Sequence, residues 1–203
     1  DEWQEFCEQA CAKLEVDLYC EKVQIAKSDN DTVAIESKAR LARYKVFEAQ
    51  LQDDEALLLA HHLDDQLETL VFRLNRGASV KGLSAIPQRR SFKNGFIFRP
   101  LLHVDRVALQ KFAEVENLQW VEDLSNQDLQ FDRNYIRHEI LPAIESRWPE
   151  YRLSWSKSLL LVSEASEMLD ELADLDLEHL QSNEPTILSI VRLQLLSSSR
   201  QRN

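Results

Sequence analysis

Between Leu58 and Thr69 the chain reads LLAHHLDDQLET, which puts two imidazoles and three carboxylates within a few residues of one another. On a helix, His61, Asp65 and Glu68 fall at i, i+4 and i+7, a polar face opposite the stripe Leu67, Leu70, Val71 and Leu74. Asp64 sits beside them, four residues before Glu68. Like charges at this spacing destabilise a helix by a few tenths of a kcal/mol per pair. The N-terminal end of the macrodipole offsets part of that, by about 0.3–1 kcal/mol for each anion. Such a cluster can bind Mg²⁺, orient an amine or move protons. The plain alternative is a solvated acidic first turn. What favours chemistry is the position of the cluster, directly after the apolar run Ala56–Ala60.

A second constellation lies downstream, where Asp123-Leu124-Ser125-Asn126 precedes Arg133-Asn134 and Arg137-His138-Glu139. Arg133 and Arg137 at i, i+4 make a cationic face suited to phosphate, which a guanidinium can hold bidentately. A surface salt-bridge network with Asp132 and Glu139 explains the same residues equally well. His103, His138 and His179 stand alone and read as structural or surface residues. No downstream motif supplies further metal ligands, so no resident metal site is expected.

The elements that must carry these residues follow from periodicity. Residues 1–15 place Trp3, Phe6, Ala10, Cys11 and Leu14 on one helical stripe, and Leu18–Ile25 ends in alternation and reads as a strand. After a polar loop that Thr32 can close as a cap, a helix over about 33–51 carries Ile35, Ala39, Ala42, Val46 and Ala49 on one side. Glu36, Arg40 and Arg43 lie on another. Ala56–Ala60 suits a parallel strand buried on both faces. The acidic helix then runs from about Leu63 to Gly77, a plausible C′ residue. Residues 78–95 read as a polar, partly basic loop and Phe96–Phe98 as a strand. Asp105 is placed to cap a helix ending near Asn117. A short helix over Arg133–Leu141 is expected to break at Pro142.

Alternating helices and strands predict an α/β fold with an open, doubly wound parallel sheet, in which ligands sit beyond the carboxyl ends of the strands. The composition changes after Trp148-Pro149. Residues 151–181 read as one helix with a stripe at Leu161, Ala165, Met168, Leu172 and Leu175. Two domains are therefore expected, 1–147 and a helical extension 148–203. The apolar TILSIVRLQLL near the end finds no partner in the sequence.

The chain has 203 residues, 44% hydrophobic and 29% charged, with 3 Gly and 5 Pro, which suits a helix-rich globular protein. Its net charge of −11 argues against gripping nucleic acid over the whole surface, though not against a local basic site. No apolar run approaches the roughly 20 residues needed to cross a bilayer, so no membrane partner is expected. Cys7, Cys11 and Cys20 form no C-x-x-C pair and read as buried thiols in a reducing compartment.

The motifs in order are more specific than any one of them. E-x-x-A-R-x-x-R-Y (Glu36 to Tyr44) is followed by L-L-A-H-H-x-D-D-Q-x-E-T (Leu58 to Thr69), R-P-L-L (Arg99 to Leu102), W-x-E-D-x-S-N (Trp120 to Asn126) and R-N-x-I-R (Arg133 to Arg137). This series resembles the tRNA(Ile)-lysidine synthase family of the PP-loop ATP pyrophosphatase superfamily, over about residues 30–180. The resemblance implies an adenine nucleotide alpha hydrolase-like fold and a cytoplasmic ligase acting in tRNA processing. It implies Mg²⁺ and ATP as cofactors, and as partners free L-lysine and the isoleucine tRNA with a CAU anticodon. ATP would adenylate the wobble cytidine, and the lysine amine would then displace AMP. It implies that His61, Asp64, Asp65 and Glu68 form the catalytic face, and that Arg40, Arg43, Arg133, Asn134 and Arg137 bind ATP or tRNA.

The chain departs from that family in lacking an S-G-G-x-D-S nucleotide loop: Gly77, Gly82 and Gly95 are the only glycines. The expectation is a fragment truncated at both ends, with an incomplete sheet, that does not make lysidine alone. Its exposed sheet edge would favour self-association as a homodimer. A PP-loop tRNA thiolase is the nearest alternative, but the cysteines do not match. A metal-dependent phosphohydrolase would need a His-Asp dipeptide and further ligands that are not found.

Overall fold

The computed structural model describes residues 2–25, 32–180 and 189–202, with backbone alone over 32–37. Chain contacts divide them into two units, 1–66 with 87–140, and 67–86 with 141–203. The boundary falls inside one helix.

In the first unit, α1 (Glu2–Leu14) and α2 (Thr32–Gln50) form as their spacing predicts. No residue of α1 is buried, however, and Trp3 and Leu14 are exposed, so its stripe covers no core. Cys7 and Cys20 are likewise exposed and Cys11 half-buried, against the expectation of buried thiols. The strand expected at Leu18–Ile25 is not formed: residues 16–25 are irregular. Alternation makes a strand only where a neighbour completes the hydrogen-bond ladder, and among the described residues none pairs with this segment. The loop expected at 26–31 lies outside the described residues.

β1 (Ala56–Leu58), β2 (Arg89–Phe92) and β3 (Gly95–Phe98) make a sheet of order β1-β3-β2. β1 runs parallel to β3, with Leu57 opposite Ile97, and β2 runs antiparallel to it, with Arg90 opposite Ile97. The parallel pair agrees with an α/β fold. β1 is not buried on both faces as expected, since Leu58 is 62% exposed. Among the described residues β1 is an edge strand, so its apolar run is only partly covered.

β2 was not foreseen in the basic 78–95 stretch, because Arg89-Arg90-Ser91 carries no apolar alternation. Its ladder with β3 is closed by a two-residue turn in which Lys93 adopts φ +52°. Gly95 follows because any Cβ there would stand 2.2 Å from the Glu55 carbonyl oxygen. The core of the sheet is Ile97, fully buried.

α5 (Arg106–Val115) is capped as predicted, the Asp105 carboxylate accepting the Ala108 N–H at 2.7 Å. A 3₁₀ turn (Leu124–Gln127) and α6 (Asp132–Tyr135) follow. Pro142 does not break the chain there. A π turn over Ile136–Ile140 leads straight into α7 (Leu141–Arg147), with Pro142 inside it. Proline cannot donate to the carbonyl four residues back, and a wider turn just before it removes that demand.

The second unit contains most of α3 (Leu63–Leu74), the short α4 (Val80–Leu83), α7, the long α8 (Tyr151–Leu180) and α9 (Ile190–Leu195). Gly77, at φ +68°, ends the α3 segment as predicted. α8 matches the expected span, but its buried residues are Tyr151, Leu159, Ser166, Asp176 and Leu180, not the predicted stripe. Leu161, Met168 and Leu175 are exposed. The buried row includes polar groups, which a search for apolar periodicity passes over: Asp176 is paired with the Arg200 guanidinium, whose Nε donates at 2.9 Å. α4 is tied to α8 by Lys81 and Asp170 at 2.7 Å. The last apolar stretch yields α9 where it is described; its first residues, 186–188, are not.

Candidate active site

α3 begins at Leu63, so His61 and His62 precede the helix and the expected i, i+4, i+7 face is not formed as a helical face. The reason is local. The Asp65 carboxylate turns back to accept the His62 N–H at 2.9 Å, half of a capping box that fixes the helix start two residues after His61. The Leu63 N–H donates to the Val104 carbonyl at 2.9 Å, anchoring the same turn to the segment before α5.

The two adjacent aspartates are thereby given different surroundings. An Asp64 oxygen accepts the Arg106 N–H at 2.8 Å, at the first turn of α5. That is where a helix dipole favours an anion. Asp65 instead lines a cavity of about 300 Å³ with His61, Arg43, Tyr44, Phe47, Leu59 and Ala60. His62 lies between the aspartates, its Nδ1 3.7 Å from Asp64 and its Nε2 3.6 Å from Asp65.

His61 is the perturbed group. Burial lowers its pKa below the ordinary 6.5, and the charges of Arg99, Arg133 and Arg40 lower it further, against the opposing pull of Asp65. Its buried Nδ1 has no hydrogen-bond partner among the described residues. A neutral imidazole with an unused nitrogen, beside a carboxylate in a cavity, is equipped to take a proton. Glu68 lies further along α3 and is fully buried.

The arginines expected to bind phosphate divide between two regions. Arg40 and Arg43 project from α2, and Arg40 donates to the Tyr44 hydroxyl at 3.3 Å. Arg133 precedes the π turn that carries Arg137. Asn134 is buried and its amide donates to the Ser125 and Asp128 carbonyls at 2.8 and 2.9 Å. It therefore holds the loop that precedes it in place. His138 Nε2 lies 2.9 Å from the Asn126 carbonyl on the same loop.

Two residues of this region escaped sequence reasoning. Tyr44 meets Phe47 and Phe92 edge to face and lies beneath the Arg40 and Arg90 guanidinium groups. Arg99 is 3% exposed and donates to the Pro87 carbonyl at 2.6 Å. A lone arginine in the apolar run Phe96–Leu102 was the available signal for it. Among the described residues no group of three or more His, Cys, Asp and Glu is arranged to hold a metal ion. No helix there is long and apolar enough to cross a membrane.

A family model for the PP-loop domain matches residues 1–144. The chain belongs to the PP-loop domain family. The match takes in every cavity-lining residue named above and both arginine regions. Over its full length this PP-loop chain is 43% identical to a tRNA(Ile)-lysidine synthase of Coxiella burnetii, covering 44% of that protein. It is 42% identical to one of Pseudomonas fluorescens, covering 46%. To one of Nitrosomonas europaea it is 41% identical, covering 43%. The chain thus spans less than half the length of these curated relatives.

Proposed function

We propose that this PP-loop chain carries the lysine-facing wall of a tRNA(Ile)-lysidine synthase site. The observation that supports it is the pairing of neutral His61 with Asp65 in one cavity. Free lysine arrives as an ammonium, which is not a nucleophile. In this reading Asp65 holds that ammonium and His61 accepts one of its protons. The freed nitrogen lone pair forms a bond to C2 of the adenylated wobble cytidine as the C2–O bond to AMP breaks. Glu68, buried on α3, belongs to the same sequence motif, and Asp64 supports the face from the start of α5.

ATP is the adenylating substrate and the CAU-anticodon isoleucine tRNA the acceptor, with Arg40, Arg43, Arg133 and Arg137 toward phosphate. Asn134 belongs to this second group as the residue that positions their loop. Mg²⁺ finds no cage among the described residues, and no step here is routed through it. In this reading the protein works in the cytoplasm, on tRNA. The chain contains no Gly-Gly pair to cradle a triphosphate, so the 203 residues alone are expected not to form lysidine.

The test is a chimera in which residues 1–203 replace the matched stretch of the Coxiella burnetii relative. ATP-dependent incorporation of labelled lysine into the CAU-anticodon tRNA supports the reading. A folded chimera that adenylates nothing and transfers no lysine contradicts it.

A further inference from the structure

Three arginines from three different segments meet at one phenol. Arg40, on α2, donates to the Tyr44 hydroxyl at 3.3 Å and its guanidinium lies 4.9 Å from the ring centre. Arg90, on β2, lies 5.8 Å from the same ring centre. Arg99, just after β3 and buried, is the third, and Tyr44 is the nearby group that most opposes the cost of burying its charge. The register explains the convergence. Arg90 and Phe92 share one face of β2, and Phe92 meets Tyr44 edge to face with centroids 5.8 Å apart.

The cluster is electrostatically unbalanced. Among the described residues, none of the three arginines makes an ion pair with a carboxylate. Arg99 is nine-tenths buried or more and its Nε has no hydrogen-bond partner. A buried cation without a counter-charge is costly, and packing alone does not call for three guanidinium groups around one ring. The Tyr44 phenol opposes the cost of burying Arg99, while Arg90 and Arg40 add to it. An anion bound here would offset that cost, and guanidinium forks match phosphate oxygens in geometry as well as charge.

We propose that Arg40, Arg90 and Arg99, gathered at Tyr44, form a phosphate-binding site that takes a phosphate group of the substrate. The inference rests on the reading of the neighbouring cavity as a site for a nucleotide-activated RNA. Tyr44 links the two, since it also lines that cavity. The phosphate comes either from the polyphosphate of ATP or from the RNA backbone.

Calorimetry on the 203-residue chain separates these sources with two probes, inorganic pyrophosphate and a single-stranded RNA heptamer. At least one is expected to bind. Arg40→Met and Arg90→Met, both at exposed positions, are each expected to weaken binding about tenfold, the scale of one lost charge-assisted contact. Lys81→Met, at another exposed cation, on α4, is expected to leave it unchanged. Pyrophosphate binding that RNA does not displace assigns the polyphosphate, and RNA binding that pyrophosphate does not displace assigns the backbone. Binding of neither probe overturns the proposal, as does equal weakening by Lys81→Met. Lysine transfer by the chimera is measured separately, so failure of the phosphate site and failure of the functional reading are told apart.

Discussion

The Asp64 carboxylate accepts the backbone N–H of Arg106 at 2.8 Å, so an acidic residue at the start of α3 also caps α5. Neighbouring Asp65 faces the cavity instead. Two aspartates adjacent in sequence are thus given different surroundings, one at the start of α5 and one lining the cavity.

Asp64→Ala is therefore expected to cost about 0.5–2 kcal/mol of stability, the range for a lost helix cap. Urea unfolding of the chain measures it. An unchanged midpoint would remove the capping role.

His61 is expected to titrate below its ordinary 6.5, with burial the main cause. For a histidine whose folded pKa is lowered, the unfolded chain binds the proton more readily. Its contribution to stability is then fully present above 6.5 and is lost as pH falls through the folded value. Following the His61 ring resonances by NMR reads this directly, and a midpoint above 6.5 contradicts it. His61→Gln should flatten the acid side of the stability profile.

Asn134→Ala leaves the Ser125 and Asp128 carbonyls without the amide that satisfies them. A loss of about 1–3 kcal/mol is expected. Faster amide exchange confined to residues 123–131 would show that the loop has been released. Exchange unchanged there would mean that Asn134 does not hold it.

Gly95→Ala would drive a Cβ against the Glu55 carbonyl, a backbone atom that cannot swing aside. The expected cost is about 1–3 kcal/mol, the usual penalty for overpacking. A thermal melt checks it; a variant as stable as the parent shows that the β1 and β3 backbones can separate at no cost.

Much of this molecule was legible in its sequence, and the failures share a cause. α2, α3, α5 and α8 declared themselves by 3.6-residue spacing and by caps such as Asp105, all of which are local signals. Leu18–Ile25 and β2 were misread because strand formation depends on a partner that spacing along one segment does not reveal. The acidic cluster was recognised as chemistry, but its division into Asp64 for α5 and Asp65 for the cavity depends on where Arg106 and Tyr44 arrive from distant segments. Arg99 and Tyr44 were visible only as members of a motif series. Their roles come from side chains of α2 meeting those of the β2–β3 hairpin, as Tyr44 meets Phe92 and Arg90, which no periodicity encodes.

In the proposed function Asp65, with His61, meets the attacking lysine. The most direct measurement is the lysine KM of the chimera carrying Asp65→Asn, with ATP-dependent adenylation of the tRNA followed in parallel. The account predicts a lysine KM raised at least about tenfold, one charge-assisted contact, with adenylation retained. An unchanged lysine KM, or loss of adenylation alone, would contradict it.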